Sequence, residues 1–376
     1  MKKLLIKFLC IIFAAAVLSA CTAGSNNGGG NNPLFAYIGN FNFANPVGSL
    51  TQCTVNQSNG NFTNCNTITP QTAAGVNTLL NPTGMTMNFF NGVPYLYINS
   101  FGNPNGTGGA NTKCQLNQST GAISNCTTVA PLATNNFDWP IGVKINRINN
   151  NDYAYIPNYG SQSGNTPPVL ADTYTKCNVD SASGTLSNCA RIALPGILFT
   201  PEDIAIFQAA NGPVVYIPNQ KPMLPGQNSS YVQCGIKPTD GTLINCINFI
   251  PAAPGILTQP RGVAINNGFI YFVNSAANGN NTLINSGYTQ CTITPANGNL
   301  TNCTTTNLPG ILNSPTGIII KDVGNSRYAY IANEDGKTYT QCNVNLTDGT
   351  LSGCTNPTAG GFFPTTTAVT YIAFSR

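Results

Sequence analysis

The chain has 376 residues, 7% of them charged and 41% hydrophobic, and fifteen Lys and Arg against eleven Asp and Glu give a formal net charge of +4. So large a hydrophobic share with so little charge excludes a disordered chain, and the lack of a basic stripe excludes a nucleic-acid binder. There is no histidine, which removes the commonest general base and the commonest metal ligand together.

Lys2, Lys3 and Lys7 form a positive segment, Phe8 to Val17 an apolar stretch, and Leu18-Ser19-Ala20 leads into Cys21. This is the layout of an export signal. A membrane-spanning helix would need about twenty apolar residues, more than are present. The Leu-Ser-Ala-Cys run resembles the lipobox of bacterial lipoproteins. The resemblance implies removal of residues 1–20, lipid on Cys21 and, with Thr22 rather than Asp next in the chain, sorting to the outer membrane. Removing residues 1–20 takes away three basic residues and no acidic one, so the mature chain is nearly neutral. Residues 21–32 continue as a Gly- and Asn-rich stretch, a flexible tether, before a domain over 33–376.

Repetition governs that domain. Apart from Cys10 and Cys21, the cysteines fall into six pairs with eleven residues between partners: Cys53 with Cys65, Cys114 with Cys126, Cys177 with Cys189, Cys234 with Cys246, Cys291 with Cys303 and Cys342 with Cys354. A glycine stands seven residues after the first cysteine of every pair, at Gly60, Gly121, Gly184, Gly241, Gly298 and Gly349. First cysteines lie 61, 63, 57, 57 and 51 residues apart, room for about four strands and their turns. Each repeat holds Pro and an apolar run, as in Pro260–Ile265 and Pro315–Ile320. A second run ends in Asn, as in Tyr153–Asn158, Val215–Asn219 and Tyr328–Asn333. Their β-branched and aromatic residues mark both as strands. The cysteine segment supplies a hairpin whose glycine suits a left-handed loop position.

The domain begins on a second strand, Leu34–Asn40, and finishes on a first strand, Pro364–Ile372. The two halves complete one blade. The sequence therefore predicts an all-β, six-bladed β-propeller with four antiparallel strands per blade and a closed ring, where a linear solenoid would need two capped ends. The Pro-x-Gly-Val-Ala-Ile and Tyr-x-Tyr-Ile-x-Asn pieces, spread over residues 33–376, resemble the blades of YVTN-type and lactonase-like bacterial propellers. The resemblance implies the fold and leaves function open. A cysteine pair in every blade, and six blades rather than seven, depart from that pattern.

An oxidising compartment favours a disulfide across each hairpin, worth roughly 3 kcal/mol by the chain-entropy model. Zinc would need closer pairs, four ligands to a site. The strand-ending Asn40, Asn99, Asn158, Asn219, Asn274 and Asn333 are expected at equivalent heights. They could hold Ca²⁺ in the central channel through their carbonyl oxygens, but the favoured reading is that each amide caps backbone at its strand end. No other cofactor is expected.

After the blade prolines stand neutral residues in four repeats, Thr83, Ile141, Thr316 and Thr365, and charged ones in two: Glu202 with Asp203, and Arg261. With Trp139 before Pro140, these four, Trp139, Glu202, Asp203 and Arg261, predict a small polar pocket with one aromatic wall at a channel mouth. The competing expectation is a structural Arg–carboxylate pair between blades. A guanidinium beside Glu202 is expected to keep it ionised. Neither a Gly-x-Ser-x-Gly elbow nor a phosphate loop is present. The main expectation is a lipid-anchored envelope module that binds or scaffolds an envelope protein, a host protein or a small polar ligand, and is not an enzyme. The alternative is a lactonase-like hydrolase of a small ester or sugar lactone, with metal on Glu202, Asp203 and nearby asparagines.

Overall fold

The computed structural model describes residues 33–42, 48–71, 79–102, 109–129, 137–160, 173–220, 229–251, 256–275, 286–357 and 367–376. The expected signal segment, Cys21 and the tether lie outside the described residues. Blade 1 contains β1 (Leu34–Phe41), β2 (Ser49–Val55) and β3 (Phe62–Ile68). Blade 2 is β4 (Pro82–Phe90), β5 (Val93–Ser100), β6 (Ala110–Leu116) and β7 (Ile123–Val129). Blade 3 is β8 (Lys144–Ile148), β9 (Asn151–Asn158), β10 (Thr173–Val179) and β11 (Leu186–Ala193). Blade 4 is β12 (Ala205–Ala209), β13 (Gly212–Asn219), β14 (Ser230–Ile236) and β15 (Leu243–Phe249). Blade 5 is β16 (Pro260–Asn266), β17 (Phe269–Asn274), β18 (Gly287–Ile293) and β19 (Leu300–Asn307). Blade 6 is β20 (Pro315–Val323), β21 (Ser326–Asn333), β22 (Thr338–Val344) and β23 (Leu351–Thr355).

The last strand, β24 (Ala368–Phe374), returns to pair antiparallel with β1, Ile38 facing Ile372 and Asn40 facing Val369. The result is the predicted six-bladed ring, closed within one blade by strands from the two ends of the domain. The innermost strand of blade 1 is described over Ala368–Phe374, and Pro364 lies outside the described residues.

Burial explains the composition of each strand. All eight residues of β1 are buried, because a second strand lies between two neighbouring sheets and must be apolar on both faces. At the wet outer edge, β19 (LTNCTTTN) exposes most of its residues. Threonine keeps β propensity there without an apolar surface. Six apolar clusters form, one at each contact between neighbouring blades; the one between blades 6 and 1 joins Val323, Tyr330 and Tyr339 to Leu34, Ile38 and Phe62.

A tyrosine latch repeats at each of these contacts. Tyr37, Tyr97, Tyr155, Tyr216, Tyr271 and Tyr330 donate their hydroxyls to the carbonyls of Gly121, Gly184, Gly241, Gly298, Gly349 and Gly60, always in the next blade. The acceptors are the hairpin glycines picked out by sequence. Their φ of 70° to 75° is the left-handed conformation expected of them. Gly60 has a second reason to lack a side chain: a Cβ would come within 2.6 Å of the Tyr330 hydroxyl.

All six hairpins carry the predicted disulfide. The bridges join Cys53 to Cys65, Cys114 to Cys126, Cys177 to Cys189, Cys234 to Cys246, Cys291 to Cys303 and Cys342 to Cys354, with Cα–Cα distances of 4.0 to 4.1 Å. Their two ends differ in depth. Cys53, Cys114, Cys177, Cys234, Cys291 and Cys342 stand on third strands and are buried. On the outermost strands Cys65, Cys189, Cys246, Cys303 and Cys354 are half-buried, and Cys126 alone is buried. Each bridge therefore pins the wet outer strand to the packed interior of its blade.

A β-bulge brings the partners together. The ladder slips by one residue at the first cysteine of every pair. Just before the second cysteine stands a left-handed residue: Asn64, Asn125, Asn188, Asn245 or Asn302 at φ 48° to 51°, or Gly353 at 57°. The repeated Asn-Cys dipeptide is the sequence mark of that bulge.

Candidate functional site

At one end of the ring the chain kinks before the innermost strand. Asn81, Trp139, Thr200, Gln259 and Ser314 have φ of 54°, 52°, 48°, 50° and 50°, each immediately before a proline. Such backbone costs a non-glycine residue about 1–3 kcal/mol, so something must hold it. The carbonyls of these five residues accept from the N–H groups of Phe101, Tyr159, Gln220, Ser275 and Glu334, at 2.9 to 3.2 Å. The strand-ending side chains add a second tie: Oδ1 of Asn219, Asn274 and Asn333 accepts from the N–H groups of Phe199, Thr258 and Asn313 at 2.9, 3.3 and 3.2 Å.

In blade 2 this place belongs to Ser100, whose hydroxyl accepts from Leu80 N–H at 3.3 Å. Asn99 is therefore not equivalent to the other five asparagines. Its amide donates instead to the carbonyls of Ile141 and Gly142 in the segment that opens blade 3, at 3.0 and 2.9 Å. Elsewhere the amide nitrogens are held by hydroxyls: Asn40 by Thr51 at 3.0 Å, Asn158 by Thr175 at 3.0 Å, Asn274 by Thr289 at 2.9 Å and Asn333 by Thr340 at 2.8 Å. The asparagines brace strand ends. A Ca²⁺ collar does not fit their geometry.

The residue after each proline faces the channel mouth, giving a ring of Thr83, Ile141, Glu202, Arg261, Thr316 and Thr370. Thr370 takes the place expected of Thr365, which lies outside the described residues. Here Val369 stands where the other blades have proline, since it pairs with Asn40 as Pro315 pairs with Asn333. Three threonines stitch neighbouring blades: Thr83 donates to the Pro140 carbonyl at 2.7 Å, Thr370 to the Pro82 carbonyl at 3.0 Å, and Thr316 to the Thr370 carbonyl.

One residue deeper, four blades carry glycine: Gly84, Gly142, Gly262 and Gly317. The neck admits nothing larger there, since a Cβ on Gly84 would lie 1.8 Å from the Ile141 carbonyl and one on Gly142 2.3 Å from Asp203 Oδ1. Asp203 and Tyr371 fill the two remaining places. The Asp203 carboxylate accepts from Ile204 N–H at 2.8 Å and from Val263 N–H of blade 5 at 3.0 Å. It braces the neck and does not line the mouth, contrary to expectation. Tyr371 closes the floor.

Above that floor lies a cavity of about 330 Å³, lined by Trp139, Glu202 and Arg261 as predicted, together with Glu334 and Tyr371. It has two unlike halves, set by the residue that follows each strand end: Phe41, Phe101 and Tyr159 in blades 1 to 3, but Gln220, Ser275 and Glu334 in blades 4 to 6. On the aromatic side Phe101 and Trp139 stack with centroids 4.4 Å apart. Tyr159 continues the row 6.1 Å from Trp139, and Phe41 meets Phe101 edge-on at 5.7 Å.

The other side carries charge. Arg261 Nη1 donates to Glu334 Oε2, while Arg261 Nε and Glu202 Oε1 lie 3.5 Å apart. The two atoms form a buried ion pair, and neither makes a hydrogen bond. Trp139 Nε1 is likewise buried and unpartnered. Glu202 is only 1% exposed. Burial raises its pKa to about 7; Arg261 opposes the shift, while Glu334 and Asp203 add to it. The expectation of a permanently ionised Glu202 is thus corrected: loss of water outweighs a guanidinium shared with a second carboxylate. Burial also raises Asp203 to about 6, against the pull of Lys144. With Asp203 turned into the neck, no group of three His, Cys, Asp or Glu able to hold a metal exists among the described residues. The metal ligand set expected on Glu202 and Asp203 is not formed.

Sequence reading missed Glu334, Tyr371 and the aromatics Phe41, Phe101 and Tyr159 beside Trp139. The residue after each strand-ending Asn, compared across blades, would have found Phe41, Tyr159 and Glu334 but not Phe101, which follows Ser100.

No family model and no curated protein matches the sequence. Solved structures do share the fold. A candidate 6-phosphogluconolactonase from Bacteroides uniformis is similar with a TM-score of 0.53 and 13% identity, covering 92% of this chain and 100% of that one. A second, from Bacteroides fragilis, has a TM-score of 0.52 and 12% identity over 92% and 99%. A periplasmic gluconolactonase from Pseudomonas aeruginosa has a TM-score of 0.53 and 12% identity over 88% and 81%. At such identities the likeness shows the fold. The three names nevertheless run against the expectation of a non-catalytic binding or scaffolding module, which is set aside for the lactonase alternative.

Proposed function

We propose that this chain is a cell-envelope hydrolase that opens a small ester or sugar lactone in the mouth cavity, with Glu202 as general base. One observation carries the reading: Glu202, a buried carboxylate poised near neutral pH with one oxygen that makes no hydrogen bond, belongs to the lining of a cavity that also holds a guanidinium. A base is most effective when its pKa lies near the working pH. The lactonase names of three structural neighbours support the same class.

The chemistry follows from the two halves of the cavity. The apolar face of a sugar ring would rest on Trp139 and Phe101, bringing its carbonyl toward Arg261. Ionised Glu202 takes a proton from water as the water oxygen bonds to that carbonyl carbon. The negative oxygen that develops is stabilised by Arg261, which Glu334 holds in place. The ring C–O bond then breaks, and the proton on Glu202 passes to the leaving oxygen, giving the hydroxy acid. The location is proposed on the Leu-Ser-Ala-Cys21 run and on the periplasmic neighbour, with lipid on Cys21 as the tie to the membrane.

Proton release from glucono-δ-lactone tests the proposal. Glu202→Gln should lower kcat by at least about 100-fold with thermal unfolding retained, and wild-type kcat/KM should rise with pH through an apparent pKa of about 7. A variant with wild-type kcat would overturn it.

A further inference from the structure

Arg261 is the sole cation among the described residues that line the cavity, and it stands between two carboxylates, Glu202 and Glu334. With all three ionised the cluster carries a formal charge of −1. We infer that the site takes an uncharged sugar ring and rejects its phosphate ester. The identity of the substrate as a lactone rests on the proposed function; the charge selectivity rests on this cluster.

A phosphate ester carries −1.5 to −2 near pH 7 and would need a free cation. The charge of the Arg261 guanidinium is already offset: Nη1 is bonded to Glu334 and Nε faces Glu202. A phosphate oxygen that reached the remaining N–H groups would meet a cation whose charge two adjoining carboxylates already offset, and would be repelled by both. A second anion would also strengthen the hold of Glu202 on its proton, removing the base. An uncharged sugar meets no such cost. Its C–H face matches the aromatic row, and its hydroxyls bring no charge to the carboxylates. Two of the three structural neighbours are named for a phosphorylated lactone; this cavity is built for the other kind.

Trp139 is the single tryptophan of the chain, so its fluorescence reports on this cavity alone. The purified mature protein would be titrated with 1,5-anhydroglucitol, a sugar ring that cannot be hydrolysed, and with its 6-phosphate. The neutral sugar should change the emission at a concentration at least about tenfold below that of the phosphate ester. Raising the salt concentration and, separately, Glu334→Gln should each narrow the gap. Equal or tighter binding of the phosphate ester, or no response to either, overturns the inference. Preference for the neutral sugar with no lactone hydrolysis would sustain the selectivity while sinking the lactonase reading.

Discussion

The hydroxyl of Tyr371 donates to the main-chain carbonyl of Glu202 at 3.2 Å, reaching from blade 1 across the channel to the segment that opens the opposite blade. The same ring floors the cavity, so hydroxyl and ring have separable effects. Tyr371→Phe should cost about 1 kcal/mol, the usual net worth of one hydrogen bond. Tyr371→Ala would empty the neck and should cost about 3–5 kcal/mol. Urea unfolding midpoints distinguish the two; equal losses would show that the ring packs against nothing of consequence.

Stability should fall as pH rises from about 4 to 7. Glu202 shifts from an ordinary value of 4.5 to about 7, and Asp203 from 3.8 to about 6. Across those windows the folded protein keeps protons that the unfolded chain has lost, so raising the pH favours unfolding. Glu202→Gln removes its share, up to about 3 kcal/mol on the scale of 1.36 kcal/mol per unit. The melting temperature of the variant relative to wild type should therefore climb between pH 4.5 and pH 7.5. A constant difference would mean that Glu202 titrates as it does in water.

Closure of the ring can be tested at Gly60 and Tyr330, which belong to blades 1 and 6. Tyr330→Phe removes one hydroxyl bond and should cost about 1 kcal/mol. Gly60→Ala must place a side chain at φ 74° and within 2.6 Å of that hydroxyl, so it should cost more. Calorimetric melting gives the order, and Gly60→Ala milder than Tyr330→Phe would contradict the steric account.

If lipid on Cys21 is the membrane tie, Cys21→Ala should move the protein from the membrane fraction to the soluble one, since a nearly neutral chain has little else to hold it there. Fractionation followed by immunoblotting reads the outcome. Retention of the variant in membranes would mean another anchor.

The fold was legible because its signals are local. Each hairpin repeats its cysteines, glycine and bulge within about a dozen residues, and disulfide pairing followed without any knowledge of distant contacts. Errors arose where equivalence is set across blades. Asn99 and Ser100 are both polar neighbours at a strand end, and the pairing of Ser100 with Pro82 decides which one holds the kink. Pro364-Thr365 imitates the proline motif, whereas the strand uses Val369-Thr370, which carries no such mark. The site was half legible: Trp139, Glu202 and Arg261 stand out as breaks in the repeat, but depth below the surface decides the proton affinity of Glu202, and a sequence does not display depth. Asp203 was misplaced because adjacent residues of an extended chain face opposite ways.

The strand that completes blade 1 is the last of the twenty-four described strands to be synthesised. Until β24 leaves the ribosome, β1 lacks its inner neighbour, and the contact between blades 6 and 1 lacks Val369, Ile372 and Phe374. A nascent chain can assemble individual hairpins but cannot close the circle during translation. For a chain proposed to be exported before it folds, this delay is an advantage. The circle, and the cavity at its mouth, can come into being only after the whole chain has been delivered.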